Sequence, residues 1–173
     1  MFEYKIENSI ADILSRDSQK YASEFTSFLR DNEVLFERGK GYWEDKHYWM
    51  VKYKNQYICF ILIGSEDKIE HNSWIIWSDD SDSNWFSDFL LNEQLNETAW
   101  KNIDFCGNCG GCKNKNGTNK KIFGKEFKNV CITTFRYKNP DIKTLECIKE
   151  LVKIRKNDIK KNRKHTKYIT TPE

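Results

Sequence analysis

Three cysteines stand at two-residue gaps in Phe105-Cys106-Gly107-Asn108-Cys109-Gly110-Gly111-Cys112, and Cys131 follows after 18 intervening residues. A Cys-x-x-Cys turn can place two thiolates on one Zn(II) ion, and four thiolates complete its tetrahedral shell. Glycines at 107, 110 and 111 are expected to let the backbone curl round such an ion, positive φ included. The spacing therefore predicts a zinc staple built from Cys106, Cys109, Cys112 and Cys131. Three other readings of these thiols stay open. The triplet also occurs in bacterial iron–sulfur proteins, although Asn116-Gly117 stands where that pattern has its fourth Cys-Pro. A redox pair is the second, since Cys-x-x-Cys lowers a thiol pKa, but such pairs usually open a helix and three glycines oppose one. In the last, some thiols are simply free. Four zinc-bound thiolates carry a net charge of about −2, which Lys113, Lys115, Lys120 and Lys121 would soften.

Other candidate chemistry is sparse. His47 lies in Trp43-Glu44-Asp45-Lys46-His47-Tyr48-Trp49. If that stretch is a strand, Asp45 and His47 share a face with Trp43 and Trp49, and an Asp–His pair can move protons or simply hold a sheet together. Trp43, Trp49, Trp74, Trp77 and Trp85 fall on or just after the expected sheet. Together with His47 they are the candidate ligand-binding residues, provided that they line one concave face rather than fill the core. Asp80, Asp82 and Asn84 imitate a calcium loop, but Trp85 replaces its glycine and Leu91 its final glutamate, so the match fails. No phosphate loop, His-Glu-x-x-His or Gly-x-Ser-x-Gly is present, and nothing compels an enzyme.

The elements that must position these groups read as follows. Residues 8–31 carry Ile10, Ile13, Leu14, Tyr21, Phe25, Phe28 and Leu29 at three- and four-residue intervals, a helix stripe, with a break near Arg16–Ser18 and Ser18 as a cap. Val34–Glu37, Tyr42–Tyr53, Tyr57–Ile63, Ser73–Ser78 and Val130–Tyr137 are rich in aromatic and β-branched residues and read as strands. Ile58–Ile63 does not alternate, which predicts a central strand covered on both faces. Ser83 or Asn84 is expected to cap a helix over Trp85–Leu91, with another over Asn92–Lys101. Lys113–Lys121 reads as a polar loop. Asn139-Pro140-Asp141 opens a final helix whose apolar side is Leu145, Ile148, Leu151, Val152 and Ile159. Cys59 and Cys147 are read as buried packing thiols.

The fold class is thus α+β. An antiparallel sheet of about five strands carries helices from both chain ends, with a Cys-rich metal-binding loop at 105–131. Residues 1–160 form a single domain, and 161–173 a basic, flexible tail. The chain has 173 residues, 38% of them hydrophobic, with six Trp, eight Tyr and eleven Phe, so its core is made of few, large side chains. No apolar run is long enough to span a membrane, and Met1–Glu7 lacks the plan of a signal peptide, which points to the cytoplasm and reduced thiols. The net charge of +3 does not by itself mark a nucleic-acid binder. Lys153–Lys167, with eight Lys or Arg against Asp158, is the one stretch where nucleic acid could be held.

The stretch Phe105–Cys112, then Ile122-Phe-Gly-Lys-Glu-Phe-Lys-Asn-Val-Cys131, Asn139-Pro-Asp and Glu146-Cys-Ile-Lys-Glu-Leu-Val-Lys-Ile-Arg-Lys156, resembles a family of small uncharacterised Firmicutes proteins. The resemblance covers roughly Trp74–Lys156. In that family the module stands alone or follows a helix-turn-helix regulator, and no activity is attached to it. The resemblance implies a sensing or effector-binding role for a small molecule or protein partner rather than catalysis. No helix-turn-helix is evident in this chain.

Overall fold

The computed structural model describes residues 4–66, 71–79, 84–87, 89, 91–109 and 117–169, with side chains through 162. Among them are four α-helices: α1 Ile6–Ile13, α2 Arg16–Asp31, α3 Glu93–Lys101 and α4 Ile142–Ile169. The strands are β1 Leu35–Arg38, β2 Tyr48–Tyr53, β3 Gln56–Ile63, β4 Trp74–Ser78, β5 Ile103–Phe105, β6 Thr118–Ile122 and β7 Lys125–Lys138. They form one open antiparallel sheet in the order β1-β2-β3-β4-β7-β5, with β6 pairing β7. The α+β class holds. The sheet has seven strands rather than five because β5 is only three residues long and β6 is polar at most positions; only Ile122 of β6 is buried, so the Lys113–Lys121 stretch gives no strand signal.

The N-terminal helix does break, but earlier than expected. Leu14 and Ser15 are extended, Ser15 occupies the N-cap position and Ser18 lies inside α2. The side chain of Asn8 accepts from the Lys5 backbone N–H at 2.9 Å and ties down the first turn of α1. At the other end of the chain Asp141 Oδ1 accepts from the Thr144 N–H at 2.8 Å and caps α4. That hydrogen bond holds the Asp141 carboxyl below its usual range. Helix α4 continues to Ile169, through the start of the stretch read as a tail, and Ile159 is its last buried residue among those described.

The two faces of the sheet are covered differently. Ile6 and Ile10 of α1, Phe25 and Leu29 of α2, Ala99 of α3, and Leu145, Ile148 and Leu151 of α4 meet Trp49, Val51, Ile61, Trp74, Ile76 and Tyr137 in the main core. The opposite face carries Tyr48, Phe60, Leu62, Ile75 and Trp77, flanked by Trp43, Met50 and Tyr57, and no helical residue among those described joins it. All of Ile58–Ile63 is buried and β3 is central, as the lack of alternation predicts. Val51 pairs with Cys59 and Lys52 with Tyr57, so Ile58 is an extra bulged residue. The bulge explains why Ile58 and Cys59 both face the main core.

Two elements differ from expectation. Residues 41–47 are not strand: Gly41–Trp43 is a 3-10 turn, with Gly41 at φ +61°, and strand begins at Tyr48. Trp85–Ser87 form a turn rather than a helix, with the Ser87 N–H donating to Asn84 O at 2.9 Å; Ser83, Asp88 and Leu90 lie outside the described residues. Asn92 does cap α3, accepting from the Leu95 N–H at 2.9 Å. No described helix is long and apolar enough to cross a membrane.

Candidate functional site

The cysteine stretch begins where β5 ends. Phe105 pairs with Val130, and the next residue, Cys106, donates its N–H to Asn129 O at 2.8 Å while Asn129 Nδ2 donates to Cys106 O at 3.3 Å. Asn129 adopts φ +57°, a left-handed value that asparagine tolerates better than most residues. Gly117, at the far end of the loop, is pressed against the same point. A Cβ there would lie 2.5 Å from Asn129 C and 2.7 Å from Cys106 Cβ. The 107–116 segment, which carries Cys109 and Cys112, therefore leaves and re-enters the sheet at one pinched base. Gly107 does not supply the positive φ expected of it; Asn108 does, at φ +55°. Gly110, Gly111 and Cys112 lie outside the described residues.

Cys131 follows that base on a distorted stretch of β7. Ile103 pairs with Phe135 and Phe105 with Val130, so 131–134 on β7 stand against the single residue Asp104. Thr134 holds φ +59°, a strained value for a β-branched side chain. Three groups brace the bulge. Lys120 Nζ donates to Cys131 O at 3.0 Å, Ile132 O at 3.2 Å and Thr134 Oγ1 at 2.7 Å. Ser78 Oγ donates to Thr133 O and accepts from the Phe135 N–H. Thr133 Oγ1 donates to Asp104 Oδ2 at 3.3 Å, with Cys131 beside the same carboxyl. Burial raises the Asp104 pKa, and the Thr133 hydrogen bond opposes the rise.

The four predicted ligands are thus only partly gathered. Cys106 stands at the base just past the end of β5, Cys131 lies on β7 two residues beyond Asn129, Cys109 is exposed, and Cys112 is not among the described residues. Among those residues no three His, Cys, Asp or Glu side chains converge as a metal site would require. Cys59 and Cys147 are buried, as read. Burial drives the Cys59 pKa far above its usual value and pushes that of Cys147 up to about 12, so both stay protonated and inert.

The six candidate ligand residues do not line one pocket; the sheet divides them. Trp49, Trp74 and Trp85 lie in the main core with the helices. Trp85 Nε1 donates to Asp79 Oδ1 at 2.9 Å, and that carboxylate, almost fully buried, also faces Arg155 at 3.4 Å. His47 sits in the turn before β2 and bonds Ser9 Oγ at 3.0 Å. Burial first, then the Arg38 charge, lowers its pKa. The expected Asp45–His47 strand pair does not form, because 44–47 is a turn, and the carboxylate felt by His47 is that of Asp12.

Trp43 and Trp77 remain, and both belong to the helix-free face. The 3-10 turn folds Trp43 back onto the sheet, where its ring stacks on Tyr48 at 4.3 Å and 17°. Gly39 makes this possible, since a Cβ there would meet Trp43 Cβ at 2.6 Å and Tyr48 Cδ1 at 2.8 Å. Lys46 fastens the turn by donating to Glu66 O at 2.7 Å, and Arg136 donates to Glu66 Oε1 at 3.1 Å beside the Trp77 ring. Beside Trp43 a groove of about 510 Å³ opens over Tyr48, Met50, Tyr57 and Phe60. Its rim is charged: Glu37 pairs with Lys40 at 2.8 Å and Lys52 at 2.5 Å. These two hydrogen bonds hold the Glu37 carboxyl down at about 2. Sequence reasoning missed Glu37, Gly39, Lys40, Tyr57 and Phe60. The parity of Tyr48-Met50-Lys52 against Trp49-Val51-Tyr53 is the local signal that separates the two faces of β2.

Of the basic run, Arg155 and Lys156 are buried in the fold, Lys153, Lys160 and Lys161 are exposed, and the side chains from 163 onward lie outside the described ones. Lys153 pairs with Glu150 at 2.6 Å, and Arg155 Nη1 with Asp158 at 2.7 Å. Lys156, also buried, donates to Asn32 O at 2.5 Å and lies 4.6 Å from the Tyr53 ring centre. No protein-family model matches this chain, no curated protein is similar to it, and no solved structure matches it.

Proposed function

We propose that the chain is a non-enzymatic binding or sensing module, with a structural zinc site stapling one end of the sheet and a ligand groove on the helix-free face. Cys106, Cys109, Cys112 and Cys131 are the proposed zinc ligands. The observation that carries this is the pinched base: Cys106, Gly117 and Asn129 meet, so the two ends of the stretch bearing Cys109 and Cys112 are held at Cys106, with Cys131 two residues along β7. Four sulfur donors suit zinc, and metal binding can supply folding free energy where a stretch has few apolar residues to bury. The likeness to the Firmicutes cysteine-motif proteins belongs to the same proposal and adds no activity.

The test is the metal content of full-length protein purified without oxygen, together with Cys131→Ser and Gly117→Ala. One zinc per chain in colourless protein is expected. Cys131→Ser should lose the metal, and Gly117→Ala should bind it at least about tenfold more weakly, because the loop base must open to admit a methyl group. Brown protein containing iron and sulfide would replace the zinc reading with the iron–sulfur one. Metal-free protein with reactive thiols would put the redox pair in its place.

A further inference from the structure

The groove beside Trp43 also carries information about what it holds. We infer that it takes a small anion built on a flat aromatic ring, a mononucleotide being the simplest probe; the inference rests on the groove being the ligand site.

The shape of the floor selects a flat ring. Trp43, Tyr48 and Phe60 lie in nearly parallel planes, with Trp43 on Tyr48 at 17° and Tyr48 beside Phe60 at 5.9 Å and 14°. Trp43 stacks on Tyr48 and lines the groove with it, so a planar ring laid over Phe60 continues the same set of parallel planes. Tyr57, 5.1 Å from Phe60 and tilted by 45°, closes the far side. At about 510 Å³ the space fits a single small molecule rather than an extended strand of nucleotides.

The rim selects the sign of charge. Aromatic walls alone suit a cation equally well. Among the residues that line the groove, however, two ammonium groups share one carboxylate, Glu37, an excess of one positive charge. Lys40 is 79% exposed and reaches over the opening, so it can exchange Glu37 for a ligand anion at little conformational cost. Lys52 lies against the Tyr57 ring at 5.0 Å, where it faces both the ring and the anion of a ligand that has both. A cationic ligand would meet repulsion from both lysines.

Glu37 gives the proposal a test of sign. It competes with a bound anion for both lysines, so Glu37→Gln should tighten anion binding severalfold, whereas it should weaken binding of a cation. The experiment titrates full-length protein with adenosine monophosphate, adenosine, inorganic phosphate and tetramethylammonium. It follows the Trp43 indole N–H, assigned by its loss in Trp43→Phe, and the Tyr48 ring signals. The nucleotide is expected to shift both and to bind about tenfold more tightly than adenosine, the worth of one charged hydrogen bond. Lys40→Ala should remove that advantage. If adenosine or tetramethylammonium binds as tightly as the nucleotide, or Glu37→Gln weakens the nucleotide, the inferred ligand class is wrong while the groove reading stands. If no probe moves Trp43 or Tyr48, both fall together.

Discussion

Replacing Gly39 by alanine tests the link between a single backbone position and the groove. The added Cβ would sit 2.6 Å from Trp43 Cβ and 2.8 Å from Tyr48 Cδ1, well inside van der Waals contact. Tyr48 is fixed in β2, opposite Leu62 of β3, so the 3-10 turn bearing Trp43 must yield instead. Lifting Trp43 off Tyr48 forfeits a stacked pair worth about 0.5–1.5 kcal/mol. Residual crowding adds about 1 kcal/mol, the low end for overpacking, because a turn relaxes more easily than a strand. The expected loss is about 2 kcal/mol, or roughly 4–8 °C in Tm for a domain of this size. Gly107→Ala is the control, since no described residue lies within 4 Å of its added methyl group, and it should change stability by less than about 0.5 kcal/mol. Urea unfolding measures both variants, and the Tyr48 ring shifts report whether the stack survives. Gly39→Ala protein as stable as the parent, with the Tyr48 shifts unchanged, would refute the packing argument and remove the structural basis of the groove.

Two further expectations follow from buried groups. Arg155→Met leaves the Asp79 carboxylate, 2% exposed, without the guanidinium beside it and should cost about 3–5 kcal/mol by urea unfolding. Adding Asp79→Asn should recover more than half of that loss, and a single substitution costing under about 1 kcal/mol would show that the pair is not buried as described. His47 has a folded-state pKa below its ordinary 6.5, so the unfolded chain takes up a proton first as the pH falls. Stability should therefore drop as the pH falls through about 6.5 and level off below the folded-state value; His47→Gln should flatten this dependence in urea midpoints at about pH 7.5 and 5.5.

Most elements were legible because their signals are local. The stripe through Ile10, Leu14, Phe25 and Leu29, the helix over about Asn92–Lys101 and the helix after Asp141 depend on residues three or four apart, and all are found in place. Ile58–Ile63 identified the central strand by lacking alternation. Strands β5 and β6 were not legible, since a short or exposed strand is held by its neighbour's backbone rather than by apolar side chains. The spacing of Cys106, Cys109, Cys112 and Cys131 is likewise in the sequence, whereas the distortion of β7 that follows Cys131 is not: Thr133-Thr134 reads as ordinary strand, and its bulge exists only because Lys120, Ser78 and Asp104 brace it from other strands.

The division of the aromatic residues was decided by tertiary structure alone. Trp49 and Trp77 are the same residue type in neighbouring parts of one sheet, yet one faces the helices and the other the helix-free face. Period-two alternation shows that neighbours on a strand point oppositely, but it does not say which face the helices will cover. That choice follows from α1, α2, α3 and α4 all packing on one side, while the other is left to a turn that Gly39 lets close over it. The sequence alone determines an α+β chain with an aromatic-rich sheet and a thiol cluster. Long-range packing decides which rings become core and which become a binding surface, because burial belongs to pairs of surfaces and no single strand specifies its partner.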